Sequence, residues 1–432
     1  MMRDWKKLHF DSVVVDLHTH PALKSTLFHR DLTVNNKRKF LQRLFGKAFW
    51  PPISRVDFPK MEAGGVDNIL STVYIPEQGW LTDIPVINAL KWLKPFAYRK
   101  LFKTPYFEAT IGSLNDVESH IEKHNKKILA DRSDCSRMAR LITGVSDLDA
   151  AIADNDLGVI HSVEGAHSLH GEACGQVIKD FRFKSGVGGL GIEEENEVLS
   201  NLQALYDRGV AYLTLAHFYP NACVESPVFP YPEYGLKLSR WKGLMDKWDH
   251  TKGLTSIGES VVERMLELGM LIDITHMTPP ARARVYEIVE HHKKRECLVA
   301  THIGVHGVNP DPLNLEDWEI SWFSSHGCVI GVIFMNYWLS PIDTNMGLKY
   351  IMQTIDRLTR FGGVDVVGIG TDFDGMTDPP DEITDLSHMP RLTRELASVM
   401  RSPSSPKYDD RAVAKMLGGN ALRLLRNGWG RP

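Results

Sequence analysis

What the chain lacks narrows its class. No run of about 18 apolar residues occurs, so no membrane span is expected. The N-terminus, MMRDWKKLHFDS, has basic residues with no apolar stretch of secretory length behind them, and no signal peptide is expected. Cysteine is scarce: five in 432 residues, odd in number, widely spaced and never as C-x-x-C. This argues against a disulfide framework and for free thiols in a reducing cytoplasm. Cys297 and Cys328 sit in strand-like runs and read as small core residues. Charge of one sign does not dominate either, and a net charge of −4 gives no ground for a nucleic-acid partner. What remains is an ordinary globular composition, 43% hydrophobic and 24% charged. The length suits one large barrel with insertions, or two domains.

Eight apolar runs are present, near 12–17, 68–75, 157–163, 210–216, 270–275, 296–301, 328–335 and 365–371. Most are continuous Val/Ile/Leu segments, the pattern of parallel strands covered on both faces. Helical patterns separate most of them, among them SDLDAAIAD, NEVLSNLQALYDRG, TSIGESVVERMLELG and PPARARVYEIVEHHKKR. Eight strands with intervening helices predict an α/β protein with a (β/α)8 TIM-type barrel, spanning 1–432 as a single domain. The helix over 255–268 is well punctuated, with Thr255 or Ser256 to cap it and Gly269 to end it. Near the C-terminus DDRAVAKMLGGNALRLLR reads as two short helices broken at Gly418–Gly419.

Three lid-like insertions are expected, at about 24–55, 80–104 and 218–252. The first two are basic and aromatic, with Phe40, Phe45, Phe49, Trp50, Trp80, Trp92, Phe96 and Tyr98. Lys24 to Lys103 holds 14 Lys and Arg against 6 Asp and Glu. The first reading is a solvated surface helix with its apolar side packed inward. A lid, a subunit contact in a homodimer and a peripheral membrane contact are the alternatives.

Six of the apolar runs end in metal-type ligands or carboxylates. VVVDLHTH gives His18 and His20, LGVIHSVEG gives Glu164, AYLTLAH gives His217, LIDITH gives His276, LVATH gives His302 and VVGIGTD gives Asp372. This recurrence over most of the chain suggests ligands on the rim of one barrel. In His18-x-His20 alternate strand residues face the same way, toward a single ion. Glu164 ends a buried run, where a carboxylate is costly unless paired, and bridging two cations meets that need. His276 and His302 would complete a second site. Asp372 is placed to orient a water, take its proton or bind a substrate amine. His217 is spaced like the ligands and could donate to a developing oxyanion. Asp374 reads as a turn residue with Gly375 at positive φ. His161, His167 and His306 read as structural or supporting residues.

These motifs resemble the renal (membrane) dipeptidase family of zinc metallopeptidases, which is amidohydrolase-like. The resemblance runs from Val13 to Arg423, through VVDLHTHP, VDFPKMEAGGVDNILSTVYIP, HSVEGAHSL, YLTLAH, GLTSIGESVVERMLELGMLIDITHMT, VATH, VGIGTDFDG and LGGNALRLLR. It implies two divalent ions, zinc by expectation: His18 and position 20 on one, His276 and His302 on the other, Glu164 bridging. It further implies that His217 contacts substrate and that Asp372 serves the catalytic water or the substrate amine. The implied reaction is cleavage of the amide bond of dipeptides or dipeptide-like substrates by a water activated between the ions. Two departures stand out. His20 replaces the family's Asp, and Leu313, before Asn314, replaces an Arg that grips the substrate carboxylate. Without that clamp, N-acyl amino acids, other small amides or lactones become alternative substrates, with Arg55 a residue that could stand in. A metal-binding protein without peptidase activity is the reading from another class.

Overall fold

The computed structural model describes residues 4–36, 54–77, 79, 81, 90–170, 192–224, 252–339, 347–375, 379–398 and 406–431. Nine strands form one parallel sheet: β1 Val15–Thr19, β2 Asn68–Tyr74, β3 Ala139–Ile142, β4 Leu157–Glu164, β5 Tyr212–Thr214, β6 Leu271–Asp273, β7 Leu298–Ile303, β8 Val329–Val332 and β9 Val367–Ile369. The order is β2-β1-β9-β8-β7-β6-β5-β4-β3, and a β2–β4 pairing closes eight of the strands into a barrel. All residues of these eight are buried, which is why their sequences run apolar without alternation.

All eight expected strands exist. The ninth, β3, has no strand signal in the sequence, because it is four residues long and only its two ends are buried. It pairs with residues 157–160 of β4, and β5 takes over from it at 163–164. It therefore patches the lower half of the gap between β4 and β5.

Helices follow most strands and carry the expected caps. Thr255 Oγ1 accepts from the Gly258 amide at 3.0 Å to start Ser256–Leu268, and left-handed Gly269 ends it. Thr278 caps Pro279–His292 in the same way. The C-terminal segment corrects one expectation. Asp410–Ala414, a wide turn over Lys415–Gly419 and Asn420–Gly428 form a continuous helical run, so Gly418–Gly419 widens the helix rather than breaking it. The glycine is there for closeness: a Cβ on Gly418 would lie 2.2 Å from the Val13 carbonyl at the entry to β1.

The insertions fall largely outside the described residues, at 37–53, 80, 82–89 and 225–251. That includes Phe40, Phe45, Phe49, Trp50 and Trp80. Within them, Pro21–Phe28 is a helix continuing from β1, and Leu90–Leu93 and Pro95–Phe102 form a helical pair. The pair only partly matches the surface helix expected. Ala97, Tyr98, Leu101 and Phe102 face inward, whereas Trp92, Leu93 and Phe96 point out at 82%, 74% and 81% exposure.

Candidate metal centre

The strand ends bring the expected residues to one point. His18 lies in β1, His20 at the start of the helix that follows it, Glu164 at the last position of β4 and His302 in β7. His217, His276 and Asp372 each stand three residues beyond β5, β6 and β9. All seven are buried. Glu164 is the hub. Its Oε1 lies 3.1 Å from His276 Nε2, 3.4 Å from His302 Nε2 and 3.5 Å from His18 Nε2. Its Oε2 lies 3.4 Å from His20 Nε2 and 3.6 Å from His217 Nε2. Asp372 Oδ1 is 3.1 Å from His20 Nε2 and 3.9 Å from His18 Nε2. Three groups have the compactness a cation needs: His18, His20 and Glu164; Glu164, His276 and His302; and His18, His302 and Asp372.

The layer beneath explains why these rings present bare nitrogens. Asp273 accepts from the amides of Thr275 and Thr301 and from the hydroxyls of Thr214, Thr275 and Thr301. A hydroxyl has one proton, and Thr301 gives its own to Asp273 at 2.7 Å. Its oxygen must then accept from His18 Nδ1 at 3.0 Å and from His302 Nδ1 at 2.9 Å. Tyr212, whose hydroxyl donates to the Leu17 carbonyl, also accepts from His18 Nδ1 at 2.8 Å. With Nδ1 protonated, Nε2 of both rings carries its lone pair into the centre, as a ligand must. His18 Nε2 and His20 Nε2 are 2.9 Å apart, and His276 Nε2 and His302 Nε2 are 3.0 Å apart. This crowding of basic nitrogens on a buried carboxylate fits the binding of divalent metal.

The electrostatics are those of a site built for positive charge. Burial pushes the Glu164 carboxyl up, but His217, His18 and His276 outweigh it and hold the group well below the usual carboxylate range. Burial lowers His276, and burial together with His18 drives His302 well down. His20 and His217 rise despite burial. The Asp372 bond and Glu164 raise the first, and Glu77 and Glu164 raise the second. Below them burial lifts Asp16 to about 7 even though Thr371 and the His18 amide donate to it. Backbone strain is present here as well: His276, Asp372 and Asp374 hold φ of 66°, 55° and 71°, a conformation that costs non-glycine residues about 1–3 kcal/mol each.

Several residues of the centre escape a reading of the sequence. Glu77, fully buried after β2, accepts from His217 Nδ1 at 2.9 Å, from the Phe218 amide at 3.1 Å and from the Tyr74 hydroxyl. Its only signal is a lone acidic residue closing the run VYIPE. Asp273, in mid-run in LIDITH, carries the same signal. Tyr212 and Thr301 have none, because both are ordinary strand residues.

Other expectations need correction. Gly375 is not at positive φ; Asp374 is. The glycine gives room instead, since its Cβ would sit 2.1 Å from Asp372 Oδ1 and 2.8 Å from the His20 ring. The Asp374 carboxylate does more than form a turn. It accepts from the amides of Arg55 and Val56 at 2.8 and 3.1 Å and so ties in segment 54–56. Leu313 is not among the residues that line the cleft. It is fully buried in the core, its amide donates to Asp311 at 2.9 Å, and its carbonyl receives Arg282. Arg55 is buried with Nη1 on the Thr384 carbonyl and does not line the cleft. His161 meets Glu118, His167 the Ile75 carbonyl and His306 Glu316.

The cleft over the centre is tight, with about 20 Å³ of space that water can enter. Its floor is His20, Glu164, His217, His276 and Asp372, and its walls are Tyr74, Phe218, Met335, Trp338 and Gly375.

A closed parallel barrel with buried His and carboxylate groups at its strand ends defines a (β/α)8 barrel with a candidate metal site. Residues 178–428 match the membrane dipeptidase family (peptidase family M19), and the chain belongs to that family. It is 35% identical over 184 residues to an uncharacterized protein in the pqqA 5′ region of Klebsiella pneumoniae, a match covering 42% of this chain and 63% of that protein. It is 27% identical over 274 residues to dipeptidase 3 of Macaca fascicularis, covering 63% and 48%. The chain therefore spans between about half and under two thirds of these curated relatives. A metallopeptidase from Rhodobacter sphaeroides, solved with a phosphinate mimic of L-Ala-D-Ala, superposes with a TM-score of 0.63 at 19% identity, over 97% of this chain and all of the other.

Proposed function

We propose that the protein is a binuclear metal-dependent hydrolase that cleaves the amide bond of dipeptides or dipeptide-like substrates. One observation carries this reading: the Glu164 carboxylate lies between two histidine pairs whose Nε2 atoms converge on it. His18, His20 and Glu164 would hold one ion, and Glu164, His276 and His302 the second. When bound, two divalent ions, zinc by the donor set, supply Lewis acidity to a carbonyl and to water. The chain supplies the rest. Asp372, at the cleft floor, takes the proton of the attacking water and returns it to the leaving amine. His217, anchored through Nδ1 by Glu77, directs Nε2–H at the developing oxyanion. The names of dipeptidase 3 and of the liganded Rhodobacter enzyme support a dipeptide-like substrate.

A second reading keeps the chemistry and changes the substrate. Tyr74, Phe218, Met335 and Trp338 wall the cleft with apolar surface, a chemistry suited to the acyl chain or aromatic group of an N-acyl amino acid or other small amide. The chain is read as a single domain, since one core cluster runs from Val14 to Leu417. The described cysteines are buried and free, consistent with a cytoplasmic location. No helix among the described residues is long and apolar enough to cross a membrane.

The test is elemental analysis of zinc-loaded protein, followed by hydrolysis assays on dipeptides, their C-terminal amides and N-acyl amino acids. Two equivalents of metal and turnover of any of these supports the hydrolase. Two equivalents with no turnover supports a metal-binding protein, and under half an equivalent removes the metal centre.

A further inference from the structure

The outward face of the helical pair Leu90–Leu93 and Pro95–Phe102 has no role in the barrel. The pair already buries Ala97, Tyr98, Leu101 and Phe102. Its other side nevertheless carries Trp92, Leu93 and Phe96, three of the seven large apolar side chains exposed among the described residues. Exposed apolar residues scattered singly are ordinary, but three within five positions form a patch that marks a contact surface. Along this segment the charge is all of one sign. Lys91, Lys94, Arg99, Lys100 and Lys103 lie within 90–105, and no Asp or Glu does. Asp116 pairs with Lys100, and the other four cations have no carboxylate partner among the described residues. Lys91 Nζ lies 5.7 Å from the Trp92 ring centre, so the indole and the ammonium share one surface.

We propose that this face docks the protein onto an anionic lipid surface, with Trp92, Leu93 and Phe96 entering the headgroup–acyl boundary and the Lys and Arg side chains meeting lipid phosphates. Tryptophan and phenylalanine beside a cationic rim are what an interfacial helix presents to a membrane. Charge decides against a second copy of this chain, because a symmetric contact would set the same cations against each other. Size decides against a stable protein partner. Two aromatic side chains of about 150–250 Å² each, with one leucine, fall short of the roughly 800 Å² per partner of a standard interface. The patch is tied to the candidate centre, since Pro95–Phe102 packs on Pro21–Phe28, the helix that His20 begins. The proposal stands apart from the hydrolase reading, because binding to vesicles is measured without substrate.

The experiment is co-sedimentation of the full chain with vesicles of phosphatidylcholine alone or with about 30 mol% phosphatidylglycerol, at low and physiological salt. Expected is binding to the anionic vesicles about tenfold or more above the neutral ones, weakened by salt. The triple variant Trp92→Ala, Leu93→Ala, Phe96→Ala should lose about tenfold or more of that binding, and Lys91→Glu with Lys94→Glu should lose a similar amount. All five positions are solvent-facing or partly so, and an unchanged melting temperature identifies folded variants. Absence of binding to anionic vesicles, or binding that both variants retain, overturns the proposal. So does self-association or capture of an acidic protein that the triple variant abolishes while vesicles are ignored.

Discussion

The four candidate histidine ligands divide into two kinds. His18 and His302 are held from below, through Nδ1, by a Thr301 hydroxyl that Asp273 has already oriented. His20 and His276 are equally buried, yet their Nδ1 atoms have no hydrogen-bond partner among the described residues. Each proposed ion site therefore pairs one ring anchored through Nδ1 with one whose Nδ1 has no partner among the described residues. The barrel interior sets half of the centre in advance, and the rim supplies the adjustable half. The difference should be visible in which substitutions cost metal, which cost turnover and which cost stability.

The largest effect belongs to Glu164, the one group shared by both halves. Glu164→Gln removes the charge that balances the surrounding imidazoles. It should lose at least one ion by elemental analysis and nearly all hydrolysis. Full occupancy in this variant would mean that the two histidine pairs bind without a bridge. Asp372→Asn should separate chemistry from binding. The metal stays, and kcat falls by about 10²–10⁴, as removal of a positioned proton acceptor typically does. A drop smaller than tenfold would transfer the proton step to another group.

The fixed half is tested at Asp273. Asp273→Asn turns an acceptor of five donors partly into a donor, so the Thr301 hydroxyl no longer has to accept from both histidines. Disturbing support of this kind typically lowers metal affinity about 10–100-fold, and competition with a chelator measures it. Because each proposed ion site contains one of these two rings, affinity for both ions should fall together; a variant that keeps its parent's affinity for both would show that this layer does not orient the ligands.

The two halves are also unequally legible in the sequence. The rim ligands are readable because each closes an apolar run, where a buried His or Glu is costly unless it is paired or coordinates an ion. All eight barrel strands are readable through their burial on both faces, which leaves a continuous apolar signature. β3 carries no such signature, as half of it faces solvent. The supporting layer leaves almost no trace. Thr301 and Tyr212 are common strand residues, and their task depends on neighbours 28 and 195 positions away, Asp273 and Leu17. Leu313 shows the opposite failure. Set against a family pattern it looks like part of the site, while packing places it in the core.

Glu77 offers a smaller effect. Glu77→Gln keeps the shape beside His217 but removes the charge that holds its ring. Metal content should be unchanged and kcat/KM should fall about tenfold, within the range expected for a hydrogen bond to a charged group. Loss of metal instead would make His217 part of the ion-binding set.

The smallest effect is expected at His20, and its sign should depend on metal. His20→Asp restores the residue that the family motif leads one to expect there. In the metal-free protein it places a third carboxylate beside Glu164 and Asp372, which His20 Nε2 now approaches at 3.4 and 3.1 Å. Like charges in a buried cluster disfavour one another, so the apo-protein should melt a few degrees lower than its parent. With zinc bound the added charge is balanced. Because the His20 ring has no Nδ1 partner to lose among the described residues, the fold gives up little, and the loaded variant should melt at or above the parent. Thermal scans with and without chelator measure both arms. A variant that is destabilised equally in the two states would show that His20 is held by packing rather than by an ion, and would move it into the fixed half of the centre.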